Sequence, residues 1–383
     1  MEAGTDQFVT SYVAQMSGKG MDLDRLVTEP SGLTAAAMME AFAHPGLGRL
    51  GIPLMADFMA PEGSMYYDAI FGAFHGQRAI RGWLVPAMAD IEFIDFVPTG
   101  TSVIFNDGEG GSSLDEWQMV MNVGDDKIPL SRGVSVRRYR EGWITWACDV
   151  YDTAAFRQPP PPEMAGAPGM PTEAPPPLPL WPRVEWTTDP TVTAAPLSAA
   201  ATAWIAKQRS AHAAGPSHVA GAAGVSGDLV PGSSSGLSHE DLHDLTHDPV
   251  IGYDFDLMSD LFHPTDSVYI DPIFGEFRGQ DEIRGWLTDI MPRAGALAFE
   301  PLGAALFDGS TSVLEWKQMA VAADGTRTMM LRGTSVRRYA DGWVVYAADY
   351  FDTAPLADPG IQAAGVAAGS TITGADIVRY RTR

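Results

Sequence analysis

The chain contains two copies of one sequence block, and this repeat constrains the fold more than any other feature. Residues 54–84 align without a gap on residues 257–287, and 18 of these 31 pairs are identical. A second block, residues 132–153, aligns on residues 332–353, with 13 of 22 pairs identical. The offset between the copies changes only from 203 to 200 positions, so the loops between the blocks differ by three residues. The sequence therefore predicts one fold that occurs twice in tandem.

Composition changes sharply between the two copies and divides the chain into two domains and a linker. We predict a first domain over residues 1–157, with an N-terminal helical extension, and a linker over residues 158–238. A second domain follows over residues 239–358, and residues 359–383 form a C-terminal tail. The linker is rich first in proline and then in glycine and serine, which is typical of a stiff segment followed by a flexible one.

Part of this linker carries large apolar side chains that a solvated segment would expose to water. Trp181, Trp186 and Trp204 are the largest of them. Residues 198–209 begin with a serine and continue with an alanine-rich stretch, which is typical of a short helix. We therefore expect part of the linker to pack on a domain.

Within each copy the hydrophobic pattern predicts helices first and strands later. In the second copy, helical patterns cover residues 253–262, which end before Pro264, and residues 281–288. A short strand is predicted between them, at residues 267–271. Alternation at period two predicts the last three strands, at residues 313–322, 332–339 and 343–351. Residues 340–342 are predicted to form the hairpin turn between the last two of these strands. Helices grouped early and antiparallel strands grouped late indicate an α+β fold.

Charge and cysteine content exclude several classes of protein. The 48 acidic residues against 25 basic ones give a net charge of −23, and such a surface repels nucleic acid and anionic membranes. The single cysteine, Cys148, excludes an intramolecular disulfide and a cysteine-based metal cluster. We find no signal peptide, no apolar stretch that could span a membrane, and no nucleotide-binding, serine-hydrolase or zinc-protease motif. These absences predict a cytoplasmic protein that uses no cofactor and has no nucleic-acid or membrane partner.

The segment YIDPIFGEFRGQDEI, which starts at Tyr269, and the last strand, which ends in DYFD, together resemble the SnoaL-like, nuclear-transport-factor-2-like superfamily. The resemblance covers residues 45–155 and 245–355, and therefore both copies. It implies two tandem cone-shaped α+β barrels, in each of which a curved antiparallel sheet wraps around helices and encloses a deep apolar cavity. Single domains of this superfamily usually pair through their sheets. This implies an intramolecular pseudo-dimer and leaves further homo-oligomerisation open.

Isomerases of this superfamily use a general-base aspartate, which the resemblance places at Asp271 and, in the first copy, at Asp68. The residues agree, because strand alternation puts Tyr269 and Asp271 on one face, and Tyr66 with Asp68 repeats the pair. A carboxylate in an apolar wall has its charged form disfavoured and becomes a usable base, while a phenol can donate to an oxyanion. The alternative is that both aspartates only cap the ends of their strands.

The same isomerases have two oxyanion donors, and only one has a counterpart here. The resemblance places the donor tyrosine of the first helix at Tyr253, whose partner in the first copy is Leu50, so the second copy is favoured as the active one. The other donor, a protonated carboxylic acid, falls near Ser135 and Ser335, where this chain has no carboxyl group. The resemblance to the isomerases stops at this position.

Two arginines are predicted to face aspartates across the last hairpin. Folding that hairpin over residues 140–141 places Arg132 opposite Asp149 to within one residue, and the same construction places Arg332 opposite Asp349. We favour a structural ion pair in the cavity wall. The alternatives are that the arginines bind a substrate carboxylate or enolate, or that Asp68, Arg132 and Asp149 and their counterparts form the Asp-Arg-Asp set of an epoxide hydrolase or cyclase.

Aromatic side chains near these acids are expected to line the cavities and to contact an apolar substrate. They are Trp316, Trp286 and Phe274 in the second copy, and Trp117, Trp83 and Phe71 in the first.

Three histidines form a separate cluster in the sequence. His239, His243 and His247 lie four residues apart and would share one side of a helix. Imidazoles one turn apart can share a metal ion. We favour a solvated helix without a metal, because the first copy has no equivalent.

These features predict a cofactor-independent lyase, isomerase or dehydratase that abstracts a proton from a hydrophobic, aromatic or polycyclic molecule. Asp271, and in the first copy Asp68, would take the proton, and Tyr269, Tyr253 or Arg332 would stabilise the oxyanion. An epoxide hydrolase or polyketide cyclase is one alternative. A non-catalytic ligand-binding or assembly module is the other, since a cavity plugged by side chains would hold no substrate.

Overall fold

The computed structural model divides the chain into two compact units, Met1–Glu185 and Trp186–Arg383. The residues that it describes are 3–16, 22–89, 94–100, 102–106, 110–123, 126–154, 196–213 and 235–382. Most of the predicted linker, with Trp181 and Trp186, lies outside the described residues. Each unit is described by itself below.

Unit 1 begins with helices and ends with long strands. Its helices are α1 (Ala3–Met16), α2 (Ala35–Phe42), α3 (Gly51–Phe58) and α4 (Gly76–Ala89), and a 3-10 helix, Pro45–Leu50, precedes α3. Its strands are β1 (Met65–Asp68), β2 (Gly72–His75), β3 (Ile94–Pro98), β4 (Val103–Phe105), β5 (Gly110–Val123), β6 (Asp126–Arg140) and β7 (Trp143–Tyr151). The chain order of these elements is repeated in unit 2.

Among the described residues, unit 2 follows the same order and adds two helices, Pro359–Ala367 and Gly374–Arg381, after its last strand. Its helices are α5 (Ala199–Ala213), α6 (His239–His247), α7 (Phe255–Asp260), α8 (Gly279–Ile290), α9 (Pro359–Ala367) and α10 (Gly374–Arg381), with 3-10 helices at Ile251–Tyr253, Met291–Arg293 and Ala354–Ala357. Its strands are β8 (Val268–Asp271), β9 (Gly275–Arg278), β10 (Leu297–Pro301), β11 (Leu306–Phe307), β12 (Thr311–Val321), β13 (Arg327–Ala340) and β14 (Trp343–Phe351). Among the helices described in either unit, none has both the length and the apolar character needed to cross a membrane.

Within the described residues, each unit has one seven-stranded sheet, and the strand order is the same in both. The order is β2-β1-β7-β6-β5-β3 with β4 on β5, and β9-β8-β14-β13-β12-β10 with β11 on β12. One described pair in each sheet is parallel, β1 with β7 and β8 with β14. The sheets are therefore mixed, whereas the resemblance implied antiparallel sheets. A parallel pair requires a long connection between its two strands, and the chain between β1 and β7, and between β8 and β14, is long enough. Two tandem α+β domains confirm the predicted fold class.

The last two strands of each unit form a tight hairpin. Asp341 and Gly342 have φ values of 52° and 77°, and Glu141 and Gly142 have values of 50° and 80°. Positive φ at both turn residues is the conformation of a type I′ turn, whose twist matches that of the strands it joins. A β-bulge follows in β7 and in β14, close to the turn. These two features fix which side chains of the last strands face each other.

The core of unit 2 lies between its helices and one face of its sheet. The helix α8 shows why: Ile283, Trp286, Leu287 and Ile290 are buried and recur at intervals of three and four residues. They belong to the same buried cluster as Val344 of β14. This layer between helices and sheet positions the pocket described below.

Two segments outside the repeated blocks also pack on unit 2. The helix α5, from the predicted linker, buries Trp204 and Ile205 in the core. The helix α10, from the predicted tail, buries Tyr380, whose hydroxyl donates to Asp289 at 2.8 Å. Both segments therefore contribute apolar side chains to the second unit.

Candidate active site

Unit 2 contains a pocket of about 970 Å³ between its helices and the inner face of its sheet. Side chains of the central strands form one wall, and α6, α8 and the segment from α9 to α10 form the others. Seven of the predicted catalytic and substrate-contacting residues line it: Tyr253, Tyr269, Asp271, Asp349, Trp316, Trp286 and Phe274. The fold thus brings the acids, phenols and aromatic rings of the second copy to one place.

Asp271 is the last residue of β8 and lines this pocket. Its Oδ1 accepts hydrogen bonds from the backbone N–H groups of Ile273 and Phe274, at 2.7 and 2.9 Å. Burial, together with the charge of Asp349, raises the pKa of Asp271 to about 7. Among the residues that the structure describes, no side chain donates a hydrogen bond to its other oxygen, Oδ2. The carboxyl is therefore fixed at one oxygen and open at the other.

Asp349 on β14 is held by donors at both oxygens. Tyr269 donates its hydroxyl to Oδ2 at 2.5 Å, and Ser335 donates to Oδ1 at 2.6 Å. Both terminal nitrogens of Arg337 lie 3.2 Å from Oδ1. Trp316 fixes the serine in turn, because its Nε1 donates to Oγ at 2.8 Å. A carboxylate whose lone pairs are occupied by four donors orients its neighbours and has little freedom to take a proton from a ligand.

The predicted pairing of Arg332 with Asp349 is wrong. The register places Ser335 opposite Asp349. The turn lies one residue further along the chain than predicted, which shifts every pair by two, and the bulge in β14 shifts the pairs by one more. Arg332 instead forms a buried ion pair with Glu315 at 2.5 Å, and Arg337 contacts the aspartate in its place.

The three predicted oxyanion donors differ in whether they line the pocket and in whether another group already accepts their hydrogen bond. Tyr269 donates its hydrogen to Asp349, and Arg332 is not among the residues that line the pocket. Tyr253 does line the pocket, and its oxygen accepts a hydrogen bond from the N–H of Phe299 at 2.8 Å. Within the described ranges, the one acceptor near its own hydrogen is the carbonyl oxygen of Phe299, at a long distance of 3.5 Å. The hydroxyl of Tyr253 is therefore able to turn toward a ligand.

Unit 1 repeats the arrangement around Asp149. Its register places Ser135, rather than Arg132, opposite Asp149, so the predicted Arg132 pairing is corrected in the same way. Tyr66 donates to Oδ2 of Asp149 at 2.5 Å, and Ser135 donates to Oδ1 at 2.6 Å. The arginine differs, since Arg137 pairs with Asp115 at 2.6 Å. The two units share the tyrosine, serine and aspartate and differ in the partner of the arginine.

Asp68, the counterpart of Asp271, differs from it in one contact. It also accepts two backbone N–H bonds at Oδ1, and burial with the charge of Asp149 raises its pKa to about 7. The hydroxyl of Tyr151, however, lies 3.3 and 3.2 Å from its Oδ1 and Oδ2. Unit 2 has Phe351 at that position, and a phenyl ring has no hydroxyl to donate. Only the carboxyl of unit 1 is capped by a tyrosine.

The predicted aromatic residues of unit 1 do not share one environment. Trp117 is buried, and its Nε1 donates to Ser135 at 3.0 Å. Trp83 packs edge-on against Tyr66 at a centroid distance of 5.1 Å. Phe71 is 49% exposed and lies at the surface. The predicted lining therefore divides into two packed rings and one exposed ring.

The three histidines all lie on α6, but they point to different neighbours. His243 and His247 line the pocket, whereas Nδ1 of His239 lies 2.7 Å from the carbonyl oxygen of Gly309. Burial lowers the pKa of His247 to about 3, and its Nδ1 donates to the carbonyl oxygen of His243 at 2.7 Å, which leaves Nε2 as an acceptor. In the part of the chain that the structure describes, no three His, Cys, Asp or Glu side chains are grouped closely enough to hold a metal ion.

Sequence reasoning missed two pocket residues and one pocket wall. Arg337 lies in a segment that is identical in both copies, and only the register distinguishes it from Arg332. Phe351 faces Tyr151 in the aligned repeat, so this difference was visible in the sequence. The wall formed by α9 and α10, which includes Ile377, has no repeated partner and gave no signal.

Comparison with known proteins finds a family similarity within the second unit. Residues 249–347 match the family described as SnoaL-like domain. No curated protein matches the chain. Among solved structures, the chain is similar to an NTF2-like protein of unknown function from Burkholderia pseudomallei, with 18% identity, 30% of this chain and 92% of that chain covered, and a TM-score of 0.27.

Two other solved structures have a similar extent of overlap. One is described as a SnoaL-like polyketide cyclase from Shewanella putrefaciens, with 13% identity, coverage of 36% and 90%, and a TM-score of 0.27. The other is a hypothetical protein with a ketosteroid isomerase-like fold from Catenulispora acidiphila, in complex with trimethylamine, with 16% identity, coverage of 30% and 81%, and a TM-score of 0.23. The family match spans α7, α8 and the strands from β8 into β14, so the similarity to the SnoaL-like domain covers the repeated elements of unit 2.

Proposed function

We propose that unit 2 is a cofactor-independent lyase or isomerase that abstracts a proton from a hydrophobic, ring-containing molecule. One observation carries the proposal: Asp271 is a buried carboxyl that lines a pocket of about 970 Å³ and keeps one oxygen free of side-chain donors among the described residues. Because burial raises its pKa to about 7, it can exchange a proton near neutral pH.

The proposed step moves one proton from carbon to oxygen. An electron pair on Oδ2 of Asp271 takes the proton of a C–H bond next to a substrate carbonyl, and the electrons of that bond move into the carbonyl to form an enolate. The hydroxyl of Tyr253 donates to the enolate oxygen. Return of the proton to another carbon completes an isomerisation, whereas loss of a leaving group from the neighbouring carbon completes an elimination.

The charges around the pocket disfavour an anionic substrate. Four carboxyl groups, those of Asp244, Asp248, Asp271 and Asp349, line it together with one arginine, Arg337. The two histidines in the wall add no positive charge at neutral pH, because burial lowers their pKa values. An anionic ligand would be repelled by this excess of negative charge. A pocket of this size, with a largely apolar wall, is suited to a molecule of several rings.

The Asp-Arg-Asp chemistry of an epoxide hydrolase has less support. It needs both of its aspartates, one to activate water and one to protonate the epoxide oxygen, whereas both oxygens of Asp349 already accept hydrogen bonds. Arg332, which was predicted to complete the set, pairs with Glu315 instead. The competing function is therefore a binding module that holds a ligand without reacting with it.

Proton abstraction can be measured before the complete reaction is known. The full chain is incubated in D₂O with a panel of steroid ketones and polycyclic aromatic ketones, and proton NMR follows exchange of the hydrogens next to the carbonyl. We expect exchange whose rate rises with pH to a plateau, with a midpoint at about 7. Asp271→Asn should lower the rate by about 10²–10⁴-fold.

Asp68→Asn is the matched control for this experiment, because Tyr151 already occupies the carboxyl of Asp68. It should leave the exchange rate unchanged. Exchange by Asp271→Asn at the wild-type rate would contradict the assignment of the base. Binding of a panel ketone without any exchange would instead favour the binding module.

A further inference from the structure

Arg381 on α10 holds the loop that contacts Asp271. Its Nε donates to the carbonyl oxygen of Ile273 at 2.6 Å, and its Nη2 donates to the carbonyl oxygen of Pro272. These oxygens belong to the two peptide groups whose N–H groups, on Ile273 and Phe274, donate to Oδ1 of Asp271. One guanidinium and one carboxylate therefore bind opposite ends of the same two peptide groups.

A peptide group that binds a cation at its oxygen becomes a stronger donor at its N–H. The cation draws electron density toward the oxygen, and linked hydrogen bonds polarise one another in this way. Two bonds from one rigid guanidinium also fix the orientation of both peptide planes. Arg381 therefore acts on the geometry and the charge of a carboxylate that it does not touch.

We infer that Arg381 is a positioning residue for Asp271, and that α10 thereby completes the site of unit 2. This inference rests on the proposed function, because it assigns a role to Arg381 in the reaction of the general base. In unit 1 the equivalent carboxyl of Asp68 is held by Tyr151 from the pocket side. In unit 2 the support comes from behind the loop, and the pocket side of the carboxyl stays open.

The helix α10 is anchored independently of Arg381. Arg293 binds both carboxylate oxygens of Asp376, at 2.9 and 2.7 Å, at the start of α10. Tyr380 is buried, and its hydroxyl donates to Asp289 at 2.8 Å. Because these contacts keep α10 on unit 2, removal of the Arg381 side chain should leave the fold intact.

Three charged or titratable groups from different elements act on Asp271. Asp349 on β14 raises its pKa, Arg381 on α10 lowers it, and Tyr269 lies beside it on β8. Loss of Arg381 leaves the other two groups unchanged. The pKa of Asp271 should therefore rise when this arginine is replaced.

The test is a ¹³C NMR titration of the full chain labelled at the aspartate carboxyl carbon, with Asp271→Asn used to assign the resonance. Arg381→Gln should raise the midpoint of Asp271 by roughly half to one pKa unit, since the arginine is exposed and partly screened by solvent. Arg381→Lys keeps the charge but lacks the rigid planar pair of donors that orients both peptide groups, and it should give a smaller upward shift. The pH at which the exchange rate reaches half of its plateau should also rise, more in Arg381→Gln than in Arg381→Lys.

Arg379→Gln is the matched control, because Arg379 lies on the same helix and pairs with Asp289 rather than with the loop. It should leave the midpoint of Asp271 where it is in the wild type. An unchanged midpoint in Arg381→Gln, an equal shift in Arg379→Gln, or complete restoration by lysine would overturn the inference. The titration needs no turnover, so a lack of exchange with every ketone would count against the proposed function and not against the role of Arg381.

Discussion

Replacing Phe351 with tyrosine should switch off the base of unit 2, because unit 1 already carries a tyrosine at this position. The hydroxyl of Tyr151 lies 3.3 and 3.2 Å from the carboxylate oxygens of Asp68. Tyr151 lies opposite Gly133 of the neighbouring strand, and Phe351 lies opposite the equivalent glycine, Gly333. Both rings pack on the matching tryptophan, at centroid distances of 5.5 and 5.9 Å. A hydroxyl added to Phe351 therefore falls within hydrogen-bond reach of Asp271.

The size of the effect follows from what that hydrogen bond does to Asp271. A donor on a carboxylate stabilises the charged form and should lower its pKa by up to about one unit. The donor also occupies the lone pair that would receive the substrate proton. Loss of general-base catalysis then costs about 10²–10⁴-fold in the exchange rate. The rate should fall even though more of the base is ionised, and this opposite movement distinguishes capping from a change in ionisation.

The assay is deuterium exchange into a panel ketone, run beside the carboxyl titration and circular dichroism. Phe351→Leu is the control, because it changes the ring without adding a donor, and it should keep most of the exchange. Tyr151→Phe makes the reciprocal change in unit 1 and should raise the pKa of Asp68. A correctly folded Phe351→Tyr protein that exchanges at the wild-type rate would refute the view that an open oxygen on Asp271 is required.

Three further substitutions test the energetics of the fold. Burial raises the pKa of Asp271 from 3.8 to about 7, so the folded state holds a proton that the unfolded chain releases, and stability falls as the pH rises through this interval. Asp271→Asn should therefore unfold in urea with up to about 4 kcal/mol more stability than the wild type above neutral pH and with no difference in acid, whereas equal stability at both would contradict the burial effect. Gly333→Ala places a methyl group 2.3 Å from the ring of Trp316 and should lower the melting temperature, at a cost of about 1–3 kcal/mol. Leu242→Ala, at a fully buried position of α6, should cost about 2–5 kcal/mol in urea unfolding, and a cost near zero would show that α6 is not part of the core.

Local pattern was sufficient to predict the repeated α+β fold and the strand that carries Asp271. Alternation at period two places Tyr269 and Asp271 on one face, and both residues line the pocket. The glycine-containing turn before β14 was also visible, because positive φ at two successive residues favours glycine at the second. These features depend on residues that are close in the sequence.

Register was the point at which local pattern failed. A turn displaced by one residue and a single bulge exchanged Arg332 for Ser335 as the partner of Asp349. Bulges have no strong sequence signature, and a strand pairing that is off by an odd number of residues reverses the face of every side chain. Arg337 could therefore not be separated from Arg332 by composition or spacing.

What decides the chemistry of the two carboxyls is the set of neighbours that fill their lone pairs, and those neighbours are distant in the sequence. Asp68 and Asp271 end equivalent strands, accept the same two backbone bonds and have their pKa values raised to about 7 by the same burial. They differ because Tyr151 donates to one from the pocket side, while Arg381 supports the other through the backbone. A duplicated domain supplies its own control in this respect, since both copies share the strand end and the two backbone hydrogen bonds. We attribute the proposed difference in reactivity to these long-range contacts and to the pocket that Asp271 lines, and exchanging the contacts between the units should exchange the pKa behaviour of the two carboxyls.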